Sequence, residues 1–160
     1  MKVKKIMRSP VISCNGDTNL AEAVDLLWST DCGVLPVVDT AGKVVGIITD
    51  RDICVAAGSR NRAPADILVK QVASHEVVVC KPEDDVLSAL EAMKDKQVRR
   101  LPVVDEAGVL KGILSVNDIV RCAEPVVTGK PAELSYNDVM PALKAISERG
   151  PIPQARLAAA

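Results

Sequence analysis

The sequence predicts an α/β (α+β) protein: two β-α-β-β-α repeats related by a pseudo-twofold axis, followed by a C-terminal helix. Three observations carry this. First, the string LPVVD occurs at Leu35–Asp39 and again at Leu101–Asp105, 66 residues later. The same offset aligns Ile6–Ala57 with Val72–Ala123 without a gap, at 15 identical positions of 52, Gly42/Gly108, Gly46/Gly112 and Asp52/Asp118 among them. Second, the period exceeds the 20–50 residues of a solenoid unit, so two facing copies fit better than an array. Third, the chain is 48% apolar and only 1% aromatic, with 24 valines and no Phe, so its core is branched aliphatic and rich in strand formers.

Each copy reads alike. A short strand (Val11–Cys14; Val77–Cys80) leads into a polar turn. An amphipathic helix follows from about Asn19 to Asp31, with Leu20, Ala23, Val24, Leu27 and Trp28 at 3–4 spacing and Asn19/Glu22 as its capping box. Its counterpart starts near Asp85 and carries Val86, Leu87, Leu90 and Met93. A hairpin comes next, Leu35–Val38 with Val44–Ile48, or Leu101–Val104 with Val109–Leu114, around a turn ending in Gly42 or Gly108. Both strands are nearly all apolar, which predicts burial of both faces. A short helix opens at Thr49 or Ser115. The repeats thus occupy residues 1–59 and 65–123, joined by a polar linker at 60–64. A loop at 124–134 precedes a helix over Ser135–Arg149, with Tyr136, Val139, Leu143 and Ile146 on one face and Pro141 as a kink or first-turn residue. Gly150–Pro153 stops it, and Gln154–Ala160 is expected to fray.

A net charge of −1 argues against nucleic acid as a partner. MKVKKIMRSP lacks the apolar stretch of a signal peptide, and no apolar run reaches membrane length. Five cysteines without CxxC spacing and a single His give no structural zinc pattern. The expectation is a reduced, cytoplasmic protein without membrane contact or metal. With no Ser/Cys–His pairing, no catalytic residue and no enzyme are expected. Cys14 and Cys80, at equivalent positions, read as small buried hydrophobes, and His75 as a surface residue. Trp28, aligned with Lys94, is left open between core and interface.

Gly46-Ile47-Ile48-Thr49-Asp50-Arg51-Asp52 and Gly112-Ile113-Leu114-Ser115-Val116-Asn117-Asp118 each end a strand and open a helix. A hydroxyl and free N–H groups at a helix start can hold phosphate oxygens. A carboxylate three residues on can accept both hydroxyl protons of a ribose. The same Thr-x-x-Asp and Ser-x-x-Asp patterns are also capping boxes that need no ligand.

The LPVVD…G-x-x-x-G-I-I-T-x-x-D string, twice in tandem after a β-α pair, resembles the cystathionine-β-synthase (CBS) domain, and the two copies resemble a CBS pair, or Bateman module. The resemblance covers Ile6 to Ala123 and is closest in organisation to small stand-alone bacterial CBS-pair proteins. It implies a regulatory protein that binds an adenosine nucleotide (AMP, ADP or ATP) between the repeats, with or without Mg, and needs no cofactor. It also implies a homodimer and a protein partner that reads the ligand-driven change. The site residues it implies are Asp52, Thr49 and Ile47 on one side, with Arg99, Arg100 and Lys111 for phosphate and Gln71 and Ser74 for the adenine edge. On the other side are Asp118, Ser115 and Ile113, closed by Gly33, Val34, Lys5, Arg8 and Pro10. Val11 and Ile12 would line one adenine slot with Ile47; Val77 and Val78 the other with Ile113. Gly33-Val34 stands where the second copy has Arg99-Arg100, so the Asp52 site is expected to bind an adenosine phosphate more tightly. The alternative is a structural or partner-binding module with vestigial sites. The expected dimer contact is Leu20–Trp28 with Val86–Met93.

Overall fold

The structure is a computed structural model that describes residues 1–127 and 132–148. The expected helix stop at Gly150–Pro153 and the tail beyond it lie outside the described residues.

In the first copy, β1 (Cys14–Asn15) pairs parallel with β2 (Val34–Val38), which pairs antiparallel with β3 (Val44–Thr49). The tight β2–β3 turn follows from Asp39. Its Oδ1 accepts the N–H groups of Ala41 and Lys43, both at 2.9 Å, and Gly42 takes the positive φ of 76° that closes it. The helix α1 (Leu20–Ser29) is capped by Asn19, whose side chain accepts the Glu22 N–H at 3.0 Å, and it buries Leu20, Ala23 and Leu27. The helix α2 (Asp50–Arg60) starts at the Thr49 cap. The second copy repeats the plan with α3 (Val86–Asp95), β4 (Arg100–Val104), β5 (Leu110–Ser115) and α4 (Val116–Cys122). Asp105 and Gly108 build the same turn.

The leading strands are shorter than the alternation of Val and Ile suggests. Only Cys14–Asn15 forms a strand in the first copy, and a single Cys80–Val103 bridge stands in the second. Val11 and Ile12 instead line a cleft between the copies. The helix α5 (Tyr136–Ser147) runs through Pro141. The carbonyl that this proline leaves without a donor belongs to Asn137, an exposed residue, so water can satisfy it. Tyr136 is exposed, contrary to the expected stripe; Ala142 joins Val139 and Ile146 in the buried one.

The pseudo-twofold relation is written in backbone hydrogen bonds. Ile47 and Ser74 exchange N–H···O bonds at 2.9 Å each, and Arg8 and Ile113 do so at 2.9 and 3.1 Å; the repeat offset carries one pair onto the other. The two hairpin turns also join, Val44 N–H to Gly108 O at 3.1 Å and Leu110 N–H to Gly42 O at 3.0 Å. Each copy lends its leading segment to the other. Val3 is buried with Met93, Leu101 and Leu114 of the second copy, while Ile67 and Val69 are buried with Leu20, Leu35 and Ile48 of the first. Neither core is closed without its neighbour's contribution.

The C-terminal helix breaks the symmetry. Val139, Ala142 and Ile146 of α5 pack into the second core, over α3 and α4. The equivalent face of the first copy, α1 with α2, has no such cover among the described residues. It presents a hollow of about 480 Å³ lined by Val24, Leu27, Trp28 and Ile53, with Trp28 86% exposed.

Candidate functional site

The exchange of leading segments creates a cleft of about 340 Å³ between the copies. The N-terminal segment supplies Arg8, Pro10, Val11 and Ile12, and the end of α1 and β2 supply Thr30, Asp31, Cys32, Val34 and Leu35. The second copy supplies Arg100, Ile113, Ser115, Asn117 and Asp118. The lining therefore joins aliphatic side chains to two carboxylates (Asp31 and Asp118), two hydroxyls and two guanidinium groups.

Asp118 is the centre of the polar lining. Only 6% exposed, it forms a reciprocal cap with Ser115, whose N–H reaches Oδ2 at 3.0 Å and whose hydroxyl donates to the same oxygen. Its Oδ1 accepts from Arg121 Nη2 at 2.8 Å and from Arg8 Nε at 3.3 Å. Burial works to raise its pKa, but the Ser115 hydroxyl and N–H and the Arg8 guanidinium outweigh it and hold the carboxyl below the usual range. Asp52 forms the same box with Thr49, whose N–H and hydroxyl reach Oδ2 at 3.0 and 2.7 Å. No arginine bonds it among the described residues: the equivalents of Arg8 and Arg121 are Ser74 and Val55. It borders a wider hollow of about 760 Å³ with Arg51, Arg60 and Gln71. The capping function of both tetrapeptides is thus realised, and it leaves Asp52 Oδ1 without a partner among the described residues.

The other expected residues divide. Arg8, Pro10, Val34, Ile113, Ser115 and Asp118 come together in the cleft as grouped. Val11 and Ile12 join them opposite Ile113 rather than Ile47, because the N-terminal segment crosses to β5. Gly33 instead borders the Trp28 hollow, its carbonyl accepting the Asp50 N–H at 3.4 Å. Lys5 is drawn to Glu133 at 3.7 Å, and Lys111 to Asp105 at 3.0 Å. Arg100 lines the Asp118 cleft. Arg99 and Arg100 also border a hollow against Leu143 and Ile146 of α5, and neither borders the one at Asp52. Gln71 uses its side chain to accept the Leu68 N–H at 3.1 Å, and Ser74 uses its backbone to hold Ile47. Sequence reasoning missed Arg121. It sits three residues after Asp118 on one helix, a spacing at which opposite charges meet.

Cys14 and Cys80 are buried, and burial pushes their thiols up to about 11 and about 12. His75 is exposed, its Nδ1 3.3 Å from the Val45 carbonyl oxygen. Among the described residues no helix is long and apolar enough to cross a membrane, and no group of His, Cys, Asp and Glu could hold a metal ion.

Comparison with known proteins bears directly on this geometry. The family model for the CBS domain matches twice, at residues 3–58 and 69–124. A 17.7 kDa protein of Acidianus ambivalens is 35% identical over 135 residues, covering 82% of this chain and 80% of that one. A CBS domain protein of Thermoplasma acidophilum, TA0289, superposes with a TM-score of 0.73 at 26% identity, over 91% of this chain and 75% of that chain. The CBS domain pair of protein MJ0100, solved in complex with 5′-methylthioadenosine and S-adenosyl-L-methionine, superposes with a TM-score of 0.69 at 28% identity, over 76% of this chain and 94% of that chain. Two matched copies, each sealed by the other's leading segment, make this chain a member of the CBS domain family, as a tandem pair.

Proposed function

We propose that this CBS pair is a regulatory module, not an enzyme, that binds an adenosine nucleotide (AMP, ADP or ATP, with or without Mg) in the cleft at Asp118. The observation that carries the reading is a cleft built by both repeats, in which aliphatic Val11, Ile12 and Ile113 line the same space as the Asp118 carboxylate. An adenine fits between the aliphatic side chains, and a ribose is the natural partner of a carboxylate. The similar pair of MJ0100 was solved with two adenosine compounds, neither of them phosphorylated, which supports an adenosine-containing ligand; the phosphate is argued from the cations of this cleft. Thr49, Asp52 and Ile47, with Gln71 and Ser74 nearby, form a second and weaker site, because their hollow is wider. A ligand spanning the cleft touches Val34 of one copy and Ser115 of the other, so binding resets the angle between repeats, and a protein partner reads that angle. The uncovered α1–α2 face around Trp28 is the contact for a homodimer. The second copy's face does not contribute to it, since α5 covers it.

A thermal-shift panel of AMP, ADP, ATP, S-adenosylmethionine and 5′-methylthioadenosine tests the reading. A rise in Tm with an adenosine phosphate, removed by Asp118→Ala, supports it. Both capping boxes are satisfied within the protein, which favours a second reading: a partner-binding module with vestigial sites. No shift with any compound would support that reading instead.

A further inference from the structure

The Asp118 carboxylate, the group best suited to a ribose, already has partners on both oxygens. Ser115 takes Oδ2, and Oδ1 accepts from Arg121 and Arg8. A ribose can reach Asp118 only by displacing one of these. Ser115 is bound into the cap of α4, and Arg121 lies on the same helix as Asp118 with the shorter contact, 2.8 Å. Arg8 makes the longest of these contacts, 3.3 Å; both guanidinium side chains are largely exposed, so the length of the contact and not exposure marks Arg8 as the one to yield. Its backbone is fixed by the reciprocal bonds to Ile113, so the guanidinium can move on a rooted stem without unmaking the fold.

We propose that Arg8 is the specificity-determining residue of this cleft: it holds Asp118 until a ribose takes its place, then transfers to the phosphate of the same ligand, so that the cleft selects phosphorylated nucleosides over unphosphorylated ones. The inference rests on the nucleotide reading above and adds the residue that makes the cleft depend on the ligand's phosphate. Its logic is an exchange of partners. An unphosphorylated nucleoside breaks the Arg8–Asp118 pair and offers Arg8 nothing in return. A phosphorylated one gives Arg8 a better partner, since guanidinium and phosphate match in shape and charge. Arg100, in the same cleft, adds a second cation, while Asp31 is the one other carboxylate lining it among the described residues. The fold does not require an arginine here: the pseudo-symmetric position is Ser74, which makes the same backbone pair with Ile47. This reverses the expectation that the Asp52 site binds an adenosine phosphate more tightly.

Calorimetry with AMP and with adenosine tests the exchange. Both titrations use the full chain carrying Asp52→Asn, which keeps a capping side chain at the other site while disabling its carboxylate. Against that background, Arg8→Ala should weaken AMP by about tenfold or more, the loss of a charge-assisted hydrogen bond. The same change should strengthen adenosine by roughly two- to fivefold, because the half-exposed Arg8–Asp118 ion pair no longer competes. Arg8→Gln, which is shorter and uncharged but places an amide N–H where Arg8 Nε stands, should likewise weaken AMP while strengthening adenosine less than Arg8→Ala does. Equal factors for both ligands, or no change in either, would overturn the exchange while leaving the nucleotide reading intact. Absence of binding by both ligands before Arg8 is altered would overturn that reading, and this inference with it.

Discussion

A β-carbon at Gly112 would lie 2.7 Å from the Arg8 carbonyl oxygen and 3.0 Å from Met7 Sδ. The first distance is shorter than any real contact of this kind, and the neighbour is backbone, so Gly112→Ala must push the N-terminal segment off β5. The segment is held there by the Arg8–Ile113 pair, at 2.9 and 3.1 Å, and by Val3 in the second core. Overpacking of this kind costs about 1–3 kcal/mol, and each backbone bond weakened costs a further 0.5–1.5 kcal/mol or so. We expect about 2–4 kcal/mol of destabilisation, or roughly 5–15 °C in Tm for a two-state chain of this size. Gly46→Ala is the internal control. Its β-carbon would meet the Ser74 carbonyl oxygen at 3.1 Å, which a small adjustment absorbs, and about 1 kcal/mol is expected. Urea denaturation measures both, and hydrogen exchange at residues 2–9 should accelerate only in Gly112→Ala. If Gly112→Ala were no more costly than Gly46→Ala, the exchanged segment would not be the tightly held element described here.

Further outcomes follow from single sites. Because the Asp118 carboxyl is held below its ordinary range, its cap and ion pairs contribute stability above about pH 4 that is lost as pH falls through the lowered value. The loss of unfolding free energy between about pH 5 and 3 should therefore be smaller in Asp118→Asn than in the parent chain. Native thiol labelling at pH 8 should modify the exposed Cys54 and spare Cys14 and Cys80, whose thiols stay protonated; early modification of either buried cysteine would contradict their placement. Trp28→Lys, which copies the residue at the equivalent position 94, should convert the proposed dimer to a monomer in light scattering at micromolar concentration, whereas an unchanged mass would remove the α1–α2 face as its contact. Met93→Ala, at a fully buried position of the second core, should cost about 2–5 kcal/mol.

The repeat and its elements were legible in the sequence because they depend on local pattern. Asn19, Thr49 and Ser115 cap helices through neighbours three residues away, and the Asp39–Gly42 and Asp105–Gly108 turns are built from their own side chains and backbone. The fold class and the pairing of LPVVD with its following strand needed nothing more. What tertiary structure decided was which copy each leading segment serves. A constant offset of 66 residues is satisfied equally by a segment packing on its own repeat or on the other. Val3 and Arg8 cross to the second copy because β5 offers a free edge and the second core an apolar gap. That crossing brings Arg8 to Asp118. Of the pair Arg99-Arg100, adjacent in sequence to a conspicuous motif, both border the α5 hollow and Arg100 alone also lines the Asp118 cleft, while Lys5 and Lys111 are held by acidic neighbours. The resemblance already grouped Arg8 with Asp118, but charge read along the chain gave Arg99 and Arg100 to Asp52, whereas Arg100 lines the Asp118 cleft, because the carboxylate a cation serves is decided by how the copies pack and not by its place beside a motif.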